Sequence, residues 1–132
     1  MTRYGIDSGV AIRLAREGLT VPDTTQLVAP NLLRSQALST VYRPVGAGEL
    51  PRTEGIRIME GITVMRIRLL GDRVSRGTAW RLAEKWGWAD TPDAEYIAVA
   101  QLQADAFVTL DSELAARADG LVKLASFEAL LS

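Results

Sequence analysis

The chain has 132 residues, 48% of them hydrophobic, and a formal net charge of −1, which suits one globular domain with a continuous core. It contains neither cysteine nor histidine, so disulfides, thiolate zinc sites, His-ligated metals and imidazole acid–base catalysis are all excluded. No apolar run approaches the roughly 18 residues of a membrane span, and the opening MTRYGIDSG lacks the apolar core of a signal peptide, so the expected setting is the cytoplasm.

In chain order, Arg3 to Ile6 reads as a short strand ended by DSG. Val10, Ile12, Leu14 and Ala15 then carry helical spacing. GLTVPDTT reads as a loop and QLVAP as a second strand closed by Pro30. Asn31 to Tyr42 reads as a helix with Leu32, Leu33, Ala37 and Val41 on one side. RPVGAGELPR, with two prolines and two glycines, predicts a loop, and a helix from about Arg52 to Glu60 follows.

ITVMRIRLL is β-branched enough for a third strand, with helix as the competing reading. GDRVSRGTAWRLAEKWG predicts a helix capped at Asp72 and stopped at Gly87. DTPDAEYIAVAQLQAD is a stronger helix, with Pro92 in its first turn and Ala94, Ile97, Ala98 and Leu102 as its buried stripe. Ala106 to Leu110 reads as a buried strand, Ser112 to Ala118 as a short helix, LVKLA as a last strand, and the end as one helical turn. Strands alternating with helices predict a single α/β domain. Its architecture is a three-layer α/β/α sandwich around a mainly parallel sheet of four to five strands.

The small net charge hides an asymmetry. Arg52, Arg57, Arg66, Arg68, Arg73, Arg76 and Arg81 face only Glu54, Glu60 and Asp72 within their segment. Such a patch suits phosphate. It equally suits an acidic protein partner or a solvated helix face.

Three aspartates fall where ligands bind in such a sheet, outside the carboxyl ends of the strands. Asp7 ends the first strand, Asp111 follows the strand that begins at Ala106, and Asp93 lies in the first turn of the helix leading into that strand. Taken singly, each has a structural explanation as a helix cap or dipole partner, and Asp72 shows how common such an aspartate is. Taken together, carboxylates within about 4–6 Å repel one another unless a cation shares them. An all-oxygen pocket suits magnesium or manganese. Such an ion gives a histidine-free protein a route to phosphodiester hydrolysis, with the arginines holding a nucleic-acid backbone.

The order YGIDSGVAIRLA, APNLLRSQALSTVYR and PDAEYIAVAQLQADAFVTLDSELA resembles the PIN-domain family, and most of all the small VapC-type toxins of type II toxin–antitoxin pairs. The resemblance covers most of the chain and is loose from about residue 44 to 75. It implies a magnesium- or manganese-dependent ribonuclease, a homodimer and a small antitoxin covering the basic groove. Asp7, Asp93 in Asp93-Ala94-Glu95-Tyr96, and Asp111 of the Thr109-x-Asp111 motif match the family's acidic positions. The resemblance implies that Asp7 and Asp93 bind the ion directly, while Asp111 binds it through water or positions the attacking water.

One position departs from the family. Seven residues beyond the start of the AP turn the family carries glutamate, and this chain has Gln36. Glutamine keeps an acceptor oxygen and loses the charge, so it suits orienting a water or substrate better than holding a cation. Glu95, Glu49, Glu54 and Glu60 are the candidates to complete the site in its place. The departure also supports a second reading, a PIN-fold RNA-binding or protein-binding module with weak or no catalysis. Two other acidic-pocket folds fit less well: an Asp-x-Asp phosphotransferase, because residue 9 is Gly, and a receiver domain, because Gly71-Asp72 is misplaced after the third strand. Thr109 is a β-former or a hydroxyl serving the acidic site, and Ser8 is a cap candidate. Trp80, Trp86 and Trp88 are expected to pack in the core or an interface. Gly46-x-Gly48 has no strand before it and makes no dinucleotide loop.

Overall fold

The computed structural model describes residues 1–132. Four strands, β1 (Thr2–Ile6), β2 (Thr25–Pro30), β3 (Ile67–Leu70) and β4 (Ala106–Val108), form one sheet in the order β3-β2-β1-β4. Every pairing is parallel, with Tyr4 beside Leu27 on one side and beside Ala106 on the other. Six α-helices supply the crossovers that parallel pairing requires: α1 (Ser8–Arg16), α2 (Leu32–Gly46), α3 (Arg52–Val64), α4 (Arg73–Trp86), α5 (Pro92–Gln103) and α6 (Ser112–Ala118). Helices α1, α2 and α3 pack on one another, while α5 lies on β1 and β2 with α4 behind it. The result is a three-layer α/β/α sandwich. No helix is long and apolar enough to cross a membrane.

Chain order moves outward from β1 to β2 to β3, then returns to the far side of β1 for β4. The direction therefore reverses between β1 and β4, and their carboxyl ends open a crevice there. One continuous core that includes Ile6, Leu27, Leu33, Ile97, Phe107 and Leu130 fills the interior. A smaller alanine cluster, Ala79, Ala83, Ala94 and Ala98, lets α4 approach α5 closely.

Several elements end elsewhere than the sequence predicts. RPVGAGELPR is helical through Gly46, with Pro44 inside α2. Proline there removes a single bond, to a carbonyl on the exposed last turns, so its cost is small compared with mid-helix. The ITV of ITVMRIRLL belongs to α3 rather than to the third strand, because Gly55, Ile58 and Ile62 bury a helical stripe. Burial at a spacing of 3–4 residues overrides β-branched propensity.

Strand β4 stops at Val108, so Thr109 and Leu110 lie beyond it. LVKLA is not a fifth strand: it meets β4 through one bridge, Phe107 to Leu124, with N–H···O bonds of 2.8 and 2.9 Å. By contrast, α4 matches its expected limits, with Asp72 accepting from the Ser75 N–H and Gly87 in the left-handed region at φ 67°. Trp80 and Trp86 do not pack in the core; they stand 66% and 52% exposed on α4.

Gly5 sets the spacing between β1 and α5. A Cβ there would lie 3.1 Å from both the Ala100 Cβ and the Phe107 ring, tighter than nine in ten real contacts of that kind. Gly5→Ala is expected to destabilise the fold by about 1–3 kcal/mol through overpacking, read as a lower urea midpoint with an unchanged slope.

Candidate active site at the carboxyl edge of the sheet

Asp7 is the residue after β1 and caps α1, its Oδ1 accepting from the Val10 N–H at 3.0 Å. It is only 5% exposed, so a carboxylate sits at the inner end of the crevice. Its Oδ2 accepts a short hydrogen bond from the Thr109 hydroxyl. Thr109 Oγ1 in turn accepts from the Asp111 N–H at 3.0 Å. The loop after β4 is thereby tied to the end of β1. Asp111 caps α6, one oxygen taking the N–H groups of Glu113 and Leu114 at 2.9 and 3.2 Å, and its other oxygen has no protein donor.

Asp93 reaches the same crevice from the first turn of α5. It forms an ion pair with Arg117 of α6, Nη1 to Oδ2, at 3.0 Å. The Arg117 guanidinium also stacks over Trp88, 5.0 Å from the ring centre, and lies 3.7 Å from Glu113. The remaining oxygen of Asp93 accepts no hydrogen bond from the protein.

Gln36, from the second turn of α2, completes the wall. The Tyr96 hydroxyl donates to its Oε1 at 2.6 Å, a length that belongs to O–H···O rather than N–H···O bonding. The amide oxygen is therefore the tyrosine's partner, and the NH2 end has none within the protein. Burial pushes the Tyr96 hydroxyl's pKa up, with the Asp7 charge adding to the effect, so it remains a donor throughout the physiological range.

These side chains border one polar cleft of about 310 Å³ lined by ten residues, among them Asp7, Gln36, Asp93, Tyr96 and Asp111. The structure thus brings together the three predicted aspartates and Gln36, with Thr109 bridging Asp7 to Asp111 behind them. It adds Ser39, Thr40 and Arg43 of α2, which sequence reading missed. Their spacing of three, four and seven residues from Gln36, one face of a helix, was the available signal.

The four other acidic candidates do not line the cleft. Glu95 instead accepts from the Thr91 hydroxyl at 3.0 Å, and Glu54 pairs with Arg57. No lining residue comes from the arginine-rich segment Arg52–Arg81. Arg57, within it, clamps the end of α1 through the Arg16 carbonyl at 3.1 Å.

The electrostatics follow from this placement. Burial pushes the Asp7 carboxyl up, the Thr109 hydroxyl and Val10 N–H pull it back, and the Asp111 charge raises it again. Burial likewise raises Asp93, Arg117 opposes, and Asp111 adds to the rise. Asp111 is therefore the carboxylate whose charge reaches both others. No three acidic side chains are close enough to form a ready-made ligand set. Magnesium, however, keeps several waters and takes one or two carboxylates, and Asp93 and Asp111 each have an oxygen without a protein donor. The donor set fits a hydrated hard cation in kind.

No family model and no curated protein matches this chain. Three solved chains do. One is the crystal structure of PAE2754 from Pyrobaculum aerophilum, with a TM-score of 0.71 and 20% identity over 98% of this chain and 93% of that one. What the two share is the fold.

Two predictions rest on this geometry. Because burial raises Asp7, the native state holds that proton more tightly than the unfolded chain, and stability is lost as pH rises from about 4 through the raised value. Asp7→Asn keeps the cap and avoids the buried charge, so it should melt higher than the parent at pH 7. The gap should close as the pH falls to about 4 in thermal melts across that range. Arg117→Ala removes both the Asp93 pair and the Trp88 stack. It should cost about 1 kcal/mol by chemical denaturation while tightening manganese binding in calorimetry, since Asp93 no longer has an internal cation.

Proposed function

We propose that this protein is a magnesium- or manganese-dependent endoribonuclease, in keeping with the resemblance of its motifs to the PIN-domain family. The observation that carries the reading is the convergence of Asp7, Asp93 and Asp111 on one polar cleft at the switch point of a parallel sheet. Nothing apolar of any size competes for that space, since only Tyr96 and Leu114 of the lining are hydrophobic.

In this reading Asp93 and Asp111, each with an oxygen free of protein donors, would hold the ion together with the buried Asp7. When bound, the ion supplies a more acidic water and stabilises charge on the phosphoryl oxygens. Thr109 keeps the Asp7 carboxylate in a fixed orientation while its buried end is screened from solvent. The free oxygen of Asp111 accepts from the attacking water and sets its line of approach to phosphorus. Arg117 holds Asp93 in place at the edge of the cleft. One water is consumed, a P–O bond breaks, and the products are a phosphate monoester and a free hydroxyl.

The toxin role, a small antitoxin and a homodimer come to this chain through the same resemblance. Exposed apolar side chains, Leu38 and Tyr42 on α2 and Trp80 and Trp86 on α4, provide surface for protein partners. A second reading, an RNA- or protein-binding module without catalysis, draws support from two observations: Asp93 already paired with Arg117, and Gln36 with its oxygen held by Tyr96.

Cleavage of a mixed RNA pool separates the two. With manganese or magnesium the parent should cut, chelator should stop it, and Asp7→Ala should lower the rate by at least about 100-fold, a loss of roughly 2.7 kcal/mol in transition-state stabilisation. Equal cleavage by parent and variant would sink the mechanism, and no cleavage by the parent would favour the binding module.

A further inference from the structure

A polyanion approaching three carboxylates needs a compensating charge near the scissile bond. The ten residues lining the cleft include one cation, Arg43. It is exposed, and it takes part in none of the protein's ion pairs. Other arginines near the core are already engaged: Arg57 with Glu54 and the end of α1, Arg117 with Asp93, and Arg13 with Glu17 and the Phe127 ring.

Arg43 does not stand alone. Gln36, Ser39, Thr40 and Arg43 recur at i, i+3, i+4 and i+7 along α2, so they share one helix face, and all four line the cleft. From Gln36 to Arg43 that face advances about 10 Å along the helix axis. Each member offers a donor. Tyr96 occupies the Gln36 oxygen, which leaves the amide NH2 for a ligand. Ser39 and Thr40 add hydroxyls, and Arg43 adds a fork suited to phosphate oxygens. Opposite them, the carboxylates offer only acceptors. The cleft also lacks an exposed ring on which a base could stack, because its aromatic residue, Tyr96, is 2% exposed. Contacts of this kind position a backbone and carry no sequence information.

We propose that this face of α2 is a phosphate track for single-stranded RNA, and that Gln36 serves as a donor to the substrate rather than as a weakened metal ligand. The Gln36 NH2 meets the phosphate being cut, the hydroxyls of Ser39 and Thr40 steady the strand, and Arg43 binds a neighbouring phosphate. The track replaces the arginine-rich segment Arg52–Arg81 as the substrate-holding surface. It deepens the ribonuclease reading, on which it rests for the identity of the substrate.

The test measures binding without catalysis. Fluorescein-labelled single-stranded RNAs of differing sequence are titrated with the full chain in chelator, by anisotropy, over a range of sodium chloride. Arg43→Gln should weaken binding severalfold at low salt and by the same factor for every sequence. It should also flatten the plot of log affinity against log salt by about 0.7, the value for one phosphate contact on a single strand. Arg81→Gln, on exposed α4, should leave affinity and slope unchanged. Gln36→Glu keeps an acceptor for Tyr96 but exchanges the donor for a negative charge, so it should weaken metal-free RNA binding.

An unchanged slope in Arg43→Gln, a slope lost in Arg81→Gln instead, unaltered or tighter binding by Gln36→Glu, or no RNA binding by the parent would each overturn the track. Failure of the ribonuclease reading looks different. RNA would then bind with an Arg43-dependent slope and remain uncut when manganese is added. Cleavage that depends on Asp7 but not on Arg43 would retain the enzyme and remove the track.

Discussion

The hydrogen bond from the Thr109 hydroxyl to Asp7 joins two strands that are 102 residues apart in sequence and neighbours in the sheet. The register of the sheet sets it, because Ile6 pairs with Val108 and the next residue on each strand is Asp7 and Thr109. The same oxygen accepts from the Asp111 N–H, so one threonine fixes the separation of two carboxylates. Around that bond the rest of the crevice is arranged. Two helices start from it, α1 at Asp7 and α6 at Asp111.

Holding like charges together in a half-dry crevice costs stability. The protein offsets part of that cost locally, with the Val10 N–H and Thr109 on Asp7, two N–H groups on Asp111 and the Arg117 guanidinium on Asp93. Burial still pushes the Asp7 and Asp93 carboxyls above their ordinary range, so the compensation is incomplete. Both of these carboxylates line the cleft, while Asp72, capping α4 away from it, is pulled down by Ser75. Capping is thus common to Asp7, Asp72 and Asp111. Only position at the switch point separates the two that share the cleft from the one that does not.

Asymmetry between the two walls of the cleft is the second organising feature. Carboxylates come from the turns that leave β1 and β4 and from the first turn of α5, whereas donors come from successive turns of α2. Gln36 stands where these walls meet. With Tyr96 holding its oxygen, Gln36 turns an acceptor toward the protein and leaves its NH2 donor without a protein partner.

Local physics made much of this legible beforehand. Asp72 and Gly87 bound α4 because a capping carboxylate and a left-handed glycine act within a few residues. The alternation of strands and helices gave the layered fold, and the order of the three aspartates gave the edge on which they lie. Other features depended on contacts distant in sequence. ITV joined α3 because Ile62 had a core to enter, and LVKLA meets β4 only at Leu124. Trp80 and Trp86 stayed exposed because the alanines of α4 took the buried side. The partners of Asp93 and Gln36, Arg117 and Tyr96, lie 24 and 60 residues away, beyond the reach of any local pattern. The sequence by itself determined which oxygen and nitrogen groups were available to this edge. Tertiary structure alone decided which of them are already satisfied and which face the cleft, because a hydrogen bond is set by distance in space.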